Sequence, residues 1–385
     1  MNRWGSDVRT AFTDRFGIEH PVAGFTPSEH VAAAISRAGG LGVLGCVRFN
    51  DAAELDAVLT WMDEHTDGKP YGVDVVMPMA APAEGAATDL SSHIPDGHRR
   101  FVAETLRKLG VPPLPDDAEA GDGVLGWLHS VARAHVDVAL KHPIALIANA
   151  LGSPPADVIA QAHQHGVPVA ALAGKAEHAR RQLADGVDIV VAQGYEAGGH
   201  TGEIASMVLV PEVVDAVGDD ALVLAAGGIG SGRQVAAALA LGAAGAWLGS
   251  YWLTTEEYRL GTRQAALQGA LIEAGSSDTV RTRIYSGKPA RLLKTKWTDA
   301  WAAPDAPQPL PMPLQNLLVS EAHHRMMYAD DPKAIAMPVG QIVGRMNQVR
   351  TVADAMTELL REVDATAVRL EALFDRGTAG GRGTT

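Results

Sequence analysis

Eight short apolar runs, each followed by a helical pattern, predict that this sequence of 385 residues folds as a (β/α)8 TIM barrel. The runs are almost wholly apolar rather than alternating, as expected of parallel strands that are buried on both faces. The eight units span roughly 250 residues, the usual length of such a barrel. A doubly wound open sheet is the alternative fold that these observations leave.

The first four predicted strands lead into helices with recognisable starts. One helix is predicted from Ser28, where PSEH offers a cap, and another from Asp51. The prolines of SPPADVIAQA suit the first turn of the helix that follows the fourth strand. The four apolar runs are IEHPVAG (18–24), LGVLG (41–45), YGVDVVM (71–77) and PIALIAN (143–149).

The second four predicted strands complete the barrel. Their helices lie near Glu177–Leu183 and in the stretches SGRQVAAALALG and TTEEYRLGTRQAALQGALIEA. Val235–Leu253 is uncharged, but its glycines divide it into a helix and a short strand, so no membrane span is predicted. The four runs are VPVAALA (167–173), VDIVVAQ (187–193), LVLAAGG (222–228) and AGAWLGS.

Two segments exceed a minimal barrel. A helical insertion after strand 3 is predicted over residues 78–142, with helices near Arg100–Leu109 and Leu125–Leu140. We therefore divide the chain into a barrel over residues 15–275, which includes that insertion, and a helical C-terminal extension over 276–370 that packs on the barrel. The tail 376–385 is expected to be disordered because it is rich in glycine and polar residues.

Composition excludes several classes of protein. A net charge of −13 argues against nucleic-acid binding, which depends on Lys and Arg. A single cysteine, Cys46, excludes an internal disulfide and a cysteine-based zinc site. The N-terminus lacks the apolar region of a secretory signal. We therefore expect a cytoplasmic enzyme with a small-molecule substrate, without membrane or nucleic-acid partners, and leave a homo-oligomer open.

Two patterns in the sequence, one rich in glycine and one with paired histidines, do not predict a functional site. The G-x-G-x-x-G of Gly40, Gly42 and Gly45 follows a helix and enters a strand, the reverse of a dinucleotide-binding turn. We interpret it as a tight helix-to-strand turn. His323 and His324 lack metal-ligand spacing and are interpreted as surface residues. No metal site is predicted.

An anion site is predicted where the last two barrel strands end. Gly227 and Gly228 follow the seventh strand and precede a helix, so backbone N–H groups and the helix dipole face the loop. Gly249 and Ser250 end the eighth strand, and phosphate groups bind at these two loops in many barrels. The pattern predicts a cofactor that carries phosphate.

The loop AQGYEAGGHTG (192–202) follows the sixth strand at the face where barrels perform chemistry. Gln193 can hydrogen-bond the edge of a heterocycle, and Gly198 and Gly199 allow backbone to approach a flat ring. His200 is the candidate general acid or base, because its pKa lies near neutrality. Glu196 is expected to orient the loop or to pair with a neighbouring residue.

Seven motifs in this order resemble the nitronate monooxygenases, formerly 2-nitropropane dioxygenases, a family of FMN-dependent (β/α)8 barrels. The resemblance covers residues about 15–295 and extends to a related branch of flavin-dependent enoyl-thioester reductases that use NAD(P)H. The motifs are HPVAGFTPSE (20–29), AGGLGVLG (38–45), YGVDVV (71–76), AQGYEAGGHTG (192–202), AAGGI (225–229), WLGS (247–250) and YSGKPAR (285–291).

The resemblance implies specific roles for residues of this chain. It implies that His200 is the catalytic histidine and that FMN is the cofactor. Gly227 and Gly228, with Gly249 and Ser250, would bind the FMN phosphate. The flavin ring would lie against Ala23, Gly24, Asp74, Gln193 and Gly198.

The sequence departs from the family pattern at three positions. The usual PMAGG reads PVAGF, which places Val22 and Phe25 where methionine and glycine are usual. Asp74 replaces an asparagine, and a carboxylate accepts hydrogen bonds but does not donate them. These positions bear on the substrate more than on the flavin.

The resemblance implies a nitronate monooxygenase that oxidises alkyl nitronates with O2 to a carbonyl compound and nitrite, with His200 as general base. The first alternative is an NAD(P)H-dependent flavin reductase of an enoyl thioester or quinone. The second is a non-catalytic FMN-binding barrel.

Overall fold

The computed structural model describes residues 8–77, 90–115, 129–259 and 264–375. Its centre is a closed barrel of eight parallel strands, which confirms the predicted (β/α)8 architecture. The first strand closes the barrel by pairing with the last. The barrel strands are β1 (Val22–Thr26), β2 (Leu41–Gly45), β3 (Tyr71–Val75), β4 (Leu146–Asn149), β5 (Val169–Ala173), β6 (Ile189–Gln193), β8 (Leu222–Ala226) and β9 (Gly245–Leu248); β7 (Gly199–His200) lies outside the barrel.

A short helix precedes the barrel, and one helix follows each of its first seven strands. The first helix, α1 (Ala11–Phe16), begins with a capping box at Thr10 and places Phe12 in the barrel interior cluster. The helices of the barrel wall are α2 (Glu29–Arg37), α3 (Ala52–His65), α5 (His129–Ala139), α6 (Ala156–Gln164), α7 (Ala176–Ala184), α8 (Ser206–Val217) and α9 (Gly232–Ala240).

Alternate residues of each strand face the barrel interior and the surrounding helices. In β6, Ile189 and Val191 belong to the interior cluster, whereas Val190 and Ala192 pack toward the helices. Both faces are buried, which explains why the strands read as continuous apolar runs.

The glycines of the G-x-G-x-x-G pattern serve packing. A Cβ on Gly42 would lie 2.0 Å from the carbonyl oxygen of Ala32 in α2, so the helix lies directly on the strand at this position. Gly39 has a positive φ of 83° in the turn before β2. The segment is thus the helix-to-strand turn that the sequence indicated.

The helix that completes the wall comes from the C-terminus. The sequence predicted that it lies within 254–274, but α10 (Gln264–Glu273) packs elsewhere. The long helix α13 (Val352–Asp375) instead packs against α9 and α2, the neighbours of an eighth barrel helix. A Cβ on Gly232 of α9 would lie 2.0 Å from Leu359 O of α13. Local helical pattern could not show which helix makes this long-range contact.

The predicted insertion 78–142 contains two helices in its described parts. The predicted helix near Arg100–Leu109 is α4 (Asp96–Lys108), and the second is α5, which packs against α3 and β3 as the third barrel helix. Residues 78–89 and 116–128, and with them the start of the second predicted helix, lie outside the described residues. The tail 376–385, expected to be disordered, also lies outside them.

The C-terminal region contains strands as well as helices. After α10, strands β10 (Thr279–Thr282) and β11 (Ala290–Leu293) form an antiparallel pair, and β11 also pairs with β7. Helices α11 (Lys296–Ala302) and α12 (Leu314–Met326) follow. The sequence predicted only helices here, because strands of four residues give a weak alternating pattern. The division near residue 275 stays a prediction.

Helices from the insertion and the C-terminal region share one apolar cluster, which we call the cap. Val102 and Leu106 of α4 pack in it with Trp297 of α11 and Val319 of α12. The cap thus joins two segments that are far apart in sequence, and it adjoins the site described below through Tyr285.

Among the described residues, no helix is long and apolar enough to cross a membrane. The uncharged stretch Val235–Leu253 divides into the end of α9 and strand β9, as its glycines indicated.

Candidate active site

A cavity of about 230 Å³ lies at the carboxyl ends of the barrel strands. The strands β3, β6, β8 and β9 and the loop that carries β7 all contribute to its wall. Most of the residues predicted from the sequence meet here. Those that line the cavity are Asp74, Gln193, Gly198, Gly199, His200, Gly227, Gly228, Gly249 and Ser250.

Ala23 and Gly24 do not line this cavity. Ala23 is fully buried in the barrel interior cluster. A Cβ on Gly24 would lie 2.4 Å from Ile35 Cδ1, so this residue faces the helix layer. The next residue of β1, Phe25, lines the cavity instead, and its ring stacks on that of Trp247 at a centroid distance of 6.4 Å. The strand therefore presents Phe25, one of the departures from the family pattern, to the site.

The loop after β6 is held from two sides. The Glu196 carboxylate accepts a hydrogen bond of 3.0 Å from the backbone N–H of Ser206, at the N-terminus of α8. The guanidinium of Arg291 donates to the carbonyl of Tyr195 at 2.9 Å and lies 4.4 Å from the centre of its ring. Arg291 is buried, so this contact ties the loop firmly to β11. Glu196 orients the loop, as the sequence suggested.

His200 lies in β7, opposite Ala290 of β11. Its Nε2 is 2.6 Å from the Ser286 hydroxyl, and the Tyr285 ring is 6.1 Å away between centroids. Burial, with a smaller contribution from the positive charge of Lys288, lowers the pKa of His200 to about 4. The imidazole is therefore neutral at pH 7, the form that can accept a proton.

Asp74 lies on the same cavity and is only 2% exposed. Burial raises the pKa of its carboxyl group to about 8, although a hydrogen bond from the Ala150 backbone opposes the shift. At neutral pH the group is consequently protonated and has an O–H to donate. The sequence alone treated the side chain as a carboxylate, because it does not report how completely the group is desolvated.

Backbone donors collect where β8 and β9 end. Gly227 and Gly228 have positive φ values of 89° and 71°, which favour glycine. Within the described ranges, the N–H groups of Gly228, Gly249 and Ser250 have no hydrogen-bond partner in the protein. Ser250 Oγ accepts from the N–H of Gly340 at 2.9 Å. These groups can bind an anion.

The N-terminus of α9 is partly engaged by side chains of the protein. The carboxylate of Glu362 in α13 accepts from the N–H of Gly232 at 2.8 Å. Gln234 Oε1 accepts from the N–H of Gly230 at 2.9 Å. Two of the N–H groups that the sequence pattern offered to a phosphate are therefore bound within the protein.

The sequence profile of the family described as nitronate monooxygenase matches residues 7–362. The chain belongs to this family. It is accordingly a flavin-dependent oxidoreductase.

Individual members and relatives agree with this assignment. The proposed monooxygenase Rv1533 of Mycobacterium tuberculosis is 48% identical over 382 residues, which cover 96% of this chain and 100% of that protein. The (3aS,4S,5R,7aS)-5-hydroxy-7a-methyl-1-oxo-octahydro-1H-indene-4-carboxyl-CoA dehydrogenase of the same organism is 32% identical over 75% of this chain and 67% of its own length. The structure of nitroalkane oxidase from Streptomyces ansochromogenes matches with a TM-score of 0.77 and 28% identity, covering 94% of this chain and all of that chain.

Two glycines of the family loop have different roles in this chain. A Cβ on Gly198 would lie 2.6 Å from the backbone nitrogen of Gly340, so the glycine is needed for the close approach of segment 338–340. Gly199 has a φ of 73° and open space where a Cβ would be, so it is the one that faces free volume.

Several wall residues of this nitronate monooxygenase family member escaped the sequence analysis. Tyr285 lies in the motif YSGKPAR, which gave no indication that it adjoins His200. The same motif contains Ser286, which contacts His200, and Lys288, whose charge helps to lower the pKa of that histidine. No motif in the sequence indicated that Pro338, Gly340 and Ile342 line the cavity. His323, interpreted as a surface residue, stacks on Tyr285 with centroids 4.8 Å apart, so that interpretation is wrong.

Proposed function

We propose that the protein is an FMN-dependent nitronate monooxygenase, which oxidises alkyl nitronates with O2 to a carbonyl compound and nitrite. The observation that carries this proposal is the position of His200, held by Ser286 on the wall of a cavity with anion-binding groups at its other end. FMN, when bound, supplies the electron-accepting chemistry of the reaction.

The residues of the cavity fit FMN. The unpartnered N–H groups of Gly228, Gly249 and Ser250 suit a phosphate. Gln193 and the protonated Asp74 offer donors and acceptors to the edge of a flavin ring. The remaining wall is largely apolar and includes Phe25 and Trp247, which suits a flat aromatic ligand.

His200 acts as the general base in this proposal. A ring nitrogen accepts the acidic α-proton of a neutral nitroalkane and leaves the nitronate, with the electron pair delocalised onto the nitro group. Ser286 orients the ring through Nε2 during the transfer. When the substrate enters as a nitronate that is already ionised, this proton transfer is not required.

Replacement of the base tests this role. His200→Asn should retain bound FMN, seen in its visible absorbance, but lose oxidation of neutral nitroethane by about 10²-fold or more, the usual contribution of a general base. Oxidation of nitronate ionised beforehand should fall much less, because no proton is then removed. If this variant oxidises neutral nitroethane at the wild-type rate, His200 is not the general base.

A second candidate is an NAD(P)H-dependent flavin reductase that acts on a thioester. It is favoured by the relative named as a carboxyl-CoA dehydrogenase, which is 32% identical to this chain. Anaerobic mixing separates the two functions. Rapid loss of flavin absorbance with NADPH or NADH supports the reductase, whereas reduction by ethyl nitronate without response to either nucleotide supports the monooxygenase.

A further inference from the structure

A second cavity of about 380 Å³ adjoins the active-site cavity. Val47, Tyr285 and Pro338 line both spaces. The rest of its wall comes mainly from α10, α12 and residues 335–337, so the cap encloses it. Nothing in the reaction of a small nitronate requires this additional space.

The walls of the second cavity favour an uncharged, apolar occupant. Aliphatic side chains provide much of its lining, and the polar side chains among them include Gln268, Asn316 and Ser320. Burial lowers the pKa of His323 to about 4, so its imidazole is neutral at pH 7. The one arginine of the lining, Arg48, is engaged by Glu29 at 2.7 Å. The aliphatic residues are Leu253, Leu267, Leu271, Met327, Ile335 and Met337.

Tyr285 links this space to the reacting centre. Its ring lies 6.1 Å from that of His200 and stacks on that of His323, 4.8 Å away between centroids. A ligand that extends past the Tyr285 ring into the second cavity therefore has its other end close to the His200 imidazole. Both volumes together fall in the range of roughly 300 to 1,000 Å³ that is usual for ligand sites.

We propose that the second cavity binds the saturated hydrocarbon body of the substrate, while its reacting carbon lies beside His200. The inference rests on the proposed function and specifies its substrate class: nitronates with a medium-length alkyl or alicyclic tail rather than nitroethane itself. Burial of each methylene group in an apolar site strengthens binding by roughly fourfold.

A substrate series measures the tail contribution. In the FMN-loaded enzyme, kcat/KM for primary nitronates from ethyl to decyl should rise by roughly two- to fourfold per methylene until the cavity is full. A flat profile across the series, with ethyl nitronate readily oxidised, would overturn the inference while leaving the proposed function in place.

Filling the cavity should remove this dependence. Ser320 lies on α12, lines only the second cavity, and is half-buried. Ser320→Phe should flatten the series while ethyl nitronate is oxidised as in the wild type. Ser320→Ala is the matched control, because it removes the hydroxyl without adding volume, and it should keep the rising profile. Ala336→Leu narrows the same space from another segment, should Ser320→Phe fold poorly.

A binding measurement separates the two proposals. Calorimetric titration of the FMN-loaded protein should show 1-octanol binding at least tenfold more tightly than 1-propanol, with this preference lost in Ser320→Phe and kept in Ser320→Ala. If the protein binds octanol in this way but oxidises no nitronate, the cavity assignment stands and the proposed reaction fails. If octanol and propanol bind equally well to the wild type, the cavity assignment fails.

Discussion

Ser286 determines how the His200 ring is presented to the substrate. Its hydroxyl is 2.6 Å from Nε2, the residue is fully buried, and the backbone N–H of Lys288 donates to the same oxygen at 3.4 Å. The hydroxyl is thus fixed by the turn that also carries Tyr285. Ser286 is a positioning residue, since it acts on the reaction only through the imidazole.

Loss of this hydroxyl should affect the proton transfer specifically. We expect Ser286→Ala to lower kcat for neutral nitroethane by about tenfold, a fraction of the 10²–10⁴ that a general base contributes, with little change in KM. Oxidation of nitronate ionised beforehand should be nearly unaffected, and Ser286→Thr should restore much of kcat. An equal loss on both substrate forms would indicate a structural role instead.

The pH profile should report the environment of His200. Because burial and Lys288 lower its pKa to about 4, the base remains deprotonated well below neutrality. With neutral nitroethane added at the start of the assay, kcat/KM should be level from pH 8 to pH 5 and fall toward pH 4. Lys288→Gln removes the nearby positive charge and should raise the pKa of His200. In this variant the fall of kcat/KM should therefore begin at a higher pH. A midpoint near 6.5 in the wild type would contradict the buried environment.

Asp74 should make the stability of the protein depend on pH. Its pKa rises from a usual 3.8 to about 8 on folding. Below pH 4 the carboxyl is protonated in both states, whereas between pH 4 and pH 8 only the unfolded state ionises. Its contribution to the free energy of unfolding is therefore lost as pH rises through this window, by up to about 1.4 kcal/mol per pH unit.

Substitution by asparagine removes this titration at nearly constant shape. The free energy of unfolding of Asp74→Asn, relative to that of the wild type, should increase from pH 5 to pH 8. Urea denaturation with FMN in constant excess measures this difference. A difference between the two proteins that does not change with pH would show that Asp74 is ionised in the folded state.

At the scale of elements, the site depends on a close passage between two loops. The backbone of segment 338–340 crosses the loop that bears His200 at Gly198, where a Cβ would lie within 2.6 Å of Gly340 N. Gly340 in turn donates to Ser250 Oγ, one of the groups assigned to the phosphate. A displacement at Gly198 is therefore transmitted to the far end of the cavity.

Gly198→Ala should consequently weaken FMN binding by at least about tenfold while leaving the barrel folded, because the displaced Gly340 no longer holds Ser250. Fluorescence of released FMN on dilution measures this affinity. Gly269→Ala is the matched control, since Gly269 lies within α10 with no heavy atom within 4 Å of the added Cβ. It should gain up to about 1 kcal/mol of stability and retain FMN.

The sequence predicted elements whose evidence is local and missed those that depend on distant partners. The apolar runs identified the barrel strands, and the glycine-rich strand ends identified His200, Gln193 and the anion loops. The strand β11 was missed because its four residues acquire their structure by pairing with β10 and with β7, which lies about ninety residues away. The same distance concealed the contact of Ser286 with His200. The conformation of such residues is set by tertiary contacts, which no window of sequence contains.

At the scale of the whole molecule, the C-terminal helix completes the barrel wall that the helices after the first seven barrel strands leave open. Helix α13 packs on α9 and α2, and Glu362 caps the N-terminus of α9. Met356 and Leu359 are each at most 2% exposed. Helix α13 thus joins the first helix of the barrel wall to the last one.

The contribution of α13 to the stability of the barrel can be measured by comparing two substitutions within this helix. Leu359→Ala removes a buried side chain of α13 and should lower the free energy of unfolding by about 2–5 kcal/mol, the usual cost of such a cavity. Leu373→Ala is the same change in the same helix at a position that is 55% exposed, and it should cost less than about 0.5 kcal/mol. Because α13 lies outside the active-site cavity, kcat per FMN-loaded molecule should be unchanged in both variants. Equal Tm values for the two variants would mean that α13 contributes little to the barrel, and that its wall is closed by other elements.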